Sequence, residues 1–143
     1  MGTVLEQNAG MTVAPGRWLD VFAVLAGAGR LASGVSFLIA PETAHRWWGG
    51  PEDAGPTTNL LLRSMGYRDA LVGGLLLQAG LRGRPAAGWF LASAGADAAD
   101  VVGGLANLHG MTERQRSRGL GGGVVGIVVG VLGGIAAART RRT

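Results

Sequence analysis

The sequence predicts an all-α polytopic membrane protein, with four transmembrane helices packed as one bundle. Three observations carry that reading. Hydrophobic residues make up 48% of the 143 residues and charged residues only 15%, where soluble domains carry about a quarter. Four apolar stretches, 18–40, 60–81, 86–108 and 119–138, each approach the ~20 residues that cross a hydrocarbon core. The last of them, "GLGGGVVGIVVGVLGGIAAA", has no charge on any face, whereas a helix in a soluble bundle would show a polar stripe.

The elements follow in order. Residues 1–16 form a polar, Gly-containing tail with no basic n-region, which reads as disordered and not as a signal peptide. The first span opens at Trp18 and stops where "APETAHRWWGGPEDAGPTTN" (Ala40–Asn59) brings Pro and Gly, which reads as a loop. "RGRP" (Arg82–Pro85) is a tight connection between the second and third spans, and the polar "HGMTERQRSR" (His109–Arg118) reads as a loop before the fourth. The domain thus covers 17–138, and 139–143 is a basic tail. Trp18 and Trp89 fall at one predicted interface, Trp47 and Trp48 at the other, as an aromatic belt requires. Every basic residue is Arg. Arg17, Arg82, Arg84, Arg139, Arg141 and Arg142 share one side, against Arg46, Arg114, Arg116 and Arg118 on the other. That excess places both termini in the cytoplasm and the chain in the cytoplasmic (inner) membrane.

Several function classes drop out. There is no Cys, and His45 and His109 lie far apart in predicted loops, so neither a metal centre nor a cofactor is expected. The arginines are scattered and form no basic helix face, so nucleic acid is not an expected partner. "GGGVVG" (Gly121–Gly126) matches G-x-G-x-x-G, but no strand precedes it and no acidic residue follows at the required distance. Gly122, Gly126, Gly130 and Gly134 instead form a ladder at intervals of four. Such a ladder is a device for close helix packing, within one protomer or across a homodimer.

The charges inside the spans are harder to dismiss. Counting ~1.5 Å per residue from the non-cytoplasmic end, Asp100 lies ~12 Å deep, Asp97 ~16 Å, Arg68 and Asp69 ~12–14 Å, and Arg30 ~15 Å. Arg63 stands above them at ~5 Å, and three arginines balance three aspartates. On the third span Trp89, Ser93, Asp97, Asp100, Gly104 and Asn107 form one polar stripe. On the second, Arg63, Tyr67, Gly74 and Gln78 share a face, with Asp69, Gly66 and Gly73 beside it. Arg30 sits among Ala23, Gly27 and Gly34, a small-residue face suited to the bundle interior. Arg68 lies among Leu61, Leu71 and Leu75, and so is expected to snorkel, meet the fourth span or face a second protomer. Each ionisable residue at a helix centre costs roughly 2.5–3.5 kcal/mol on insertion. Intramembrane charges therefore point to function, with a structural network as the alternative.

"RSMGYRDALVGGLLL" (Arg63–Leu77), followed by the "DAAD" of Asp97–Asp100, resembles an uncharacterised domain family of small four-helix integral membrane proteins. That family is represented in actinobacteria and fungi and is broadly similar to the DoxX-like proteins. The resemblance covers residues ~17–108 and implies fold and membrane location more than activity. The association of fungal members with polyketide or terpenoid pathways implies a lipophilic substrate.

The expected activity is acid–base catalysis on a lipophilic small molecule, by epoxide opening, cyclisation or isomerisation. One carboxylate would stay ionised as base while another is held protonated as acid. Asp97 and Asp100 would be that pair, with Asp69 beside them, Arg30 or Arg63 as organiser and Tyr67 as donor. Trp89, Ser93, Asn107, Arg68 and Gln78 would line the substrate site. The alternatives are an accessory scaffold held by a structural charge network and a proton-coupled carrier. An enzyme predicts a cavity lined by Trp89, Tyr67 and the aspartates; a scaffold predicts directly paired charges with no void.

Overall fold

The computed structural model describes residues 17–50 and 55–140, and the predicted N-terminal tail and most of the basic C-terminal tail lie outside them. Among the described residues there is no strand. The helices are α1 (Arg17–Ile39), α2 (Pro41–Trp47), α3 (Pro56–Leu81), α4 (Ala87–Ala106), α5 (Glu113–Gln115) and α6 (Gly121–Arg139). A π turn at Arg116–Leu120 joins α5 and α6 into one helical rod. Two helices, α1 and the Glu113–Arg139 rod, are long and apolar enough to cross a membrane. With 26 and 20 residues, α3 and α4 are long too, but they carry the interior charges.

Two predicted loops contain helix. The Ala40–Asn59 segment holds α2, because Pro41 sits in the first turn, where its missing N–H costs nothing. Gly49, at φ 92°, then ends α2 in a Schellman motif. Gly49 N donates to Arg46 O, and Gly50 N donates to His45 O. Gly83, at φ 55°, ends α3 in the same way, with Arg84 N on Ala79 O. In the second segment Thr112 and Gln115 form a capping box, so the last helix starts well before the predicted Gly119.

Packing divides the molecule into two tight pairs. Along its length α1 lies against α3, and α4 lies against α6, whereas the pairs touch each other at few places. Glycines make the first pair close. A Cβ at Gly34 would meet Ala70 N and, at 2.6 Å, Gly66 O; one at Gly73 would lie 2.9 Å from Gly27 O. Gly80 meets Asp20 O in the same sense at 2.7 Å. In the second pair a Cβ at Gly130 would lie 2.7 Å from Phe90 O, and one at Gly133 2.6 Å from the Phe90 ring. Gly134 abuts Leu91.

The four ladder glycines therefore divide their work. Gly130 and Gly134 bring backbones together, while Gly126 faces the Asp97 carboxylate and Gly122 the Trp48 ring. At the end holding the start of α1, the two pairs meet through Ala23, Leu76, Ala79, Ala86, Phe90 and Ala137. Phe22 stacks on Phe90 there, with ring centroids 5.4 Å apart. Above this plug the pairs separate.

Candidate functional site

The gap between the pairs is a cavity of about 730 Å³, inside the size range of small-molecule sites. Its base is apolar, formed by Ala26, Leu76 and Phe90 from the plug. Its far end is lined by Phe37, Met65, Trp48, Met111 and Leu120, with His45 from α2. Between these zones runs a band of Arg30, Ser33, Asp69, Ser93, Asp97 and Asp100.

Arg30 is the hub of that band. From α1, its Nη1 donates to Ser93 Oγ (2.7 Å) and to Asp97 Oδ1 and Oδ2 (2.9 and 2.8 Å), all on α4. Its Nη2 donates to Asp69 Oδ1 on α3 at 2.8 Å. The side chain is only 12% exposed, and its Nε–H is buried without an acceptor. Arg68 extends the chain of charges. Its Nε donates to Asp69 Oδ1 at 3.1 Å, while Nη1 and Nη2 grip the two oxygens of Asp100 at 3.0 and 2.6 Å. The order Asp97–Arg30–Asp69–Arg68–Asp100 thus alternates sign and ends in a carboxylate at both ends. Two guanidiniums serve three carboxylates.

Several sequence-based placements change. Arg68 neither snorkels nor meets the last span; it crosses from α3 to α4, because Asp100 stands opposite it at equal depth. Arg63 does not join the cluster. Its Nη1 donates to Leu38 O at 2.6 Å, one of the carbonyls that the end of α1 leaves without an intrahelical donor. The balance of three against three therefore becomes two against three. Tyr67, Trp89, Gln78 and Asn107 are exposed and lie outside the cavity. Asn107 Nδ2 bonds Gly103 O of its own helix. Ser93, Asp97, Asp100 and Asp69 do line it, as does Arg30.

Other lining residues had no place in the sequence reading of the site. Ser33 lies three residues beyond Arg30, on the same side of α1, and that spacing could have marked it. His45 and Trp48 reach the cavity because α2 is a helix folded over its far end, which a loop assignment hides. Two arginines fix that segment: Arg63 at Leu38 O, and Arg118, whose Nη1 donates to Trp47 O. No group of three or more His, Cys, Asp or Glu with metal-binding geometry occurs among the described residues.

No curated protein and no solved structure matches the chain. A protein-family match does exist and spans residues 27–136, from the Gly27 contact on α1 to the packed end of α6. It takes in α3 and α4 whole, α1 from Gly27 and α6 as far as Ala136, and so reaches beyond the three charged helices that carry the motif resemblance. The chain belongs to that family, described as a domain of unknown function, DUF4267.

Proposed function

We propose that this protein is a four-span membrane enzyme that performs acid–base chemistry on a lipophilic small molecule held between its two helix pairs. The observation that carries the reading is the unequal cluster set in an otherwise apolar cavity: three carboxylates, two guanidiniums. Support for four spans comes from the outward faces. All four long helices turn large apolar side chains outward, among them Leu25, Leu61, Leu71, Leu91, Val102 and Leu132. Exposed apolar surface on that scale is what a bilayer covers.

On this reading the three carboxylates differ in role. Asp69 bonds both guanidiniums and serves as the organiser. Asp100 receives two separate N–H groups from Arg68 and serves as base. Asp97 shares a single nitrogen of Arg30 between its two oxygens and packs directly against Gly126. It takes up a proton as the substrate binds and serves as acid. In epoxide opening, Asp97 protonates the oxygen as its C–O bond breaks. Asp100 removes a proton from the attacking water or internal hydroxyl as the new C–O bond forms. The product is a diol or a cyclic ether, and each carboxyl ends in the other's starting state.

The test is turnover of a panel of lipophilic epoxides by the purified protein in nanodiscs, followed by mass spectrometry. Product should form with the natural protein and disappear with Asp97→Asn and with Asp100→Asn. Equal yield from both variants would remove catalysis from the band.

A scaffold reading is favoured by one observation: the charges are directly paired, and the pairs run between helices. Arg30 ties α1 to α4, and Arg68 ties α3 to α4. On that reading folded variants lose no turnover, because the natural protein has none.

A further inference from the structure

We infer that the cavity selects a lipophile whose polar head is uncharged and donates a hydrogen bond, such as a long-chain alcohol, and rejects the same chain with an anionic head. The inference deepens the proposed site and rests on that reading only for where the ligand lies, not for what is done to it. It follows from which groups face the cavity and which are already spent. Arg68 does not line the cavity, and its donors are committed to Asp69 and Asp100. Arg30 does line the cavity, but its charge is already paired: Nη1 donates to Ser93 and Asp97, and Nη2 to Asp69.

A ligand that reaches the band therefore meets carboxylate oxygens, serine hydroxyls and one guanidinium already paired with two carboxylates. Asp69 Oδ2 accepts no hydrogen bond among the described residues, although Oδ1 accepts from both arginines. An O–H head is complementary to that open acceptor. A carboxylate head would bring a fourth negative group to two positive ones, and like charges at that range repel. The hydroxyls of Ser33 and Ser93 are neutral donors and do not reverse the sign.

The experiment compares three molecules with one tail: oleyl alcohol, methyl oleate and oleic acid, at a pH where the acid is ionised. Each is titrated into the full-length protein in detergent micelles, and the rise in melting temperature gives its Kd. Oleyl alcohol should bind most tightly. Methyl oleate, which lacks a donor, should bind more weakly, and oleate at least tenfold more weakly than the alcohol. Asp97→Asn makes the cluster neutral and should narrow the alcohol–acid gap; Asp100→Asn does so from the opposite end if the first variant fails to fold. Oleate binding as tightly as the alcohol, an unchanged gap in the folded variants, or no binding of any of the three overturns the inference. Loss of epoxide turnover with a retained alcohol preference would instead remove only the proposed chemistry.

Discussion

Arg30→Gln should destabilise the protein far more than Asp97→Asn, although each breaks the same ion pair. The asymmetry comes from the hub. Removing the guanidinium deletes its bonds to Ser93, Asp97 and Asp69 together and leaves Asp97 with no cation. The cluster then holds three carboxylates and one guanidinium. With Arg30 only 12% exposed, the loss falls in the range for breaking a buried pair, about 3–5 kcal/mol. Asp97→Asn is different. Arg30 keeps Ser93 at 2.7 Å and Asp69 at 2.8 Å, and the cluster becomes neutral. One charge-assisted contact is lost and one repulsion is relieved, for a net cost of about 1–2 kcal/mol. At roughly 2–4 °C per kcal/mol for a chain of this size, Arg30→Gln should lower Tm by roughly 10 °C and Asp97→Asn by roughly 3–5 °C. A tryptophan-fluorescence melt in detergent reads both. The double variant should recover part of the Arg30→Gln loss, since it removes the stranded carboxylate. Equal losses from the two single changes, or a larger one from Asp97→Asn, would refute the hub.

Gly34→Ala should cost about 1–3 kcal/mol, because its Cβ would lie 2.6 Å from Gly66 O and must force α1 from α3. Gly95→Ala, which meets open space, should be neutral or stabilise by up to about 1 kcal/mol; comparable melting losses from both would mean that the contact faces are misassigned. Gly126→Ala should fold but lose ligand binding, since its Cβ would collide with the Asp97 carboxylate and not with a neighbouring backbone; retained binding in a titration would contradict that. For topology, a reporter active only in the cytoplasm should work when fused to the C-terminus and stay silent when inserted between residues 51 and 59. The reverse pattern would invert the orientation.

The number of long helices was legible in the sequence because each apolar stretch has bilayer length and a breaker at its ends. The charged layer was legible too, since depth follows from counting residues. Facing was only half legible. On α3 the polar face of Arg63, Tyr67 and Gln78 was read as interior, yet those residues are exposed and Gly66, Gly73 and Gly80 are buried against α1. The usable signal was the interval of seven among those glycines, matched by Gly27 and Gly34 on the partner. In a membrane helix small residues mark the protein side more reliably than polar ones, because close approach is what drives packing there. On α4 the centre of the polar stripe, Ser93, Asp97, Asp100 and Gly104, does face the cavity, while its ends at Trp89 and Asn107 are exposed. It is Phe90, fully buried, that fills the interior beside Trp89. The α2 helix was missed because Pro41 was read as a stop, when at a first helical position proline is a start.

Paired charges and a void were set against each other as marks of two different functions, but this fold needs both at once. Glycines close each helix pair so tightly that little apolar area is left to join one pair to the other, apart from the plug around Phe90. Between the plug and the far end, where Arg118 holds Trp47 O and Trp48 meets Gly122, the pairs would be free to separate. Arg30 and Arg68 are what span the gap, one from α1 and one from α3, both ending on α4. The ion pairs therefore hold open a cavity of fixed width instead of filling it. That arrangement has a chemical consequence. A cluster that only locked helices together would be stablest with equal numbers of each sign, since an unmatched buried charge is costly. That cost falls on Asp69 and Asp97, each 14% exposed, more than on Asp100 at 41%. Three carboxylates on two guanidiniums depart from that optimum, in the band where a bound molecule would touch them. The excess serves no packing purpose visible in the contacts, and the proposed proton exchange rests on it.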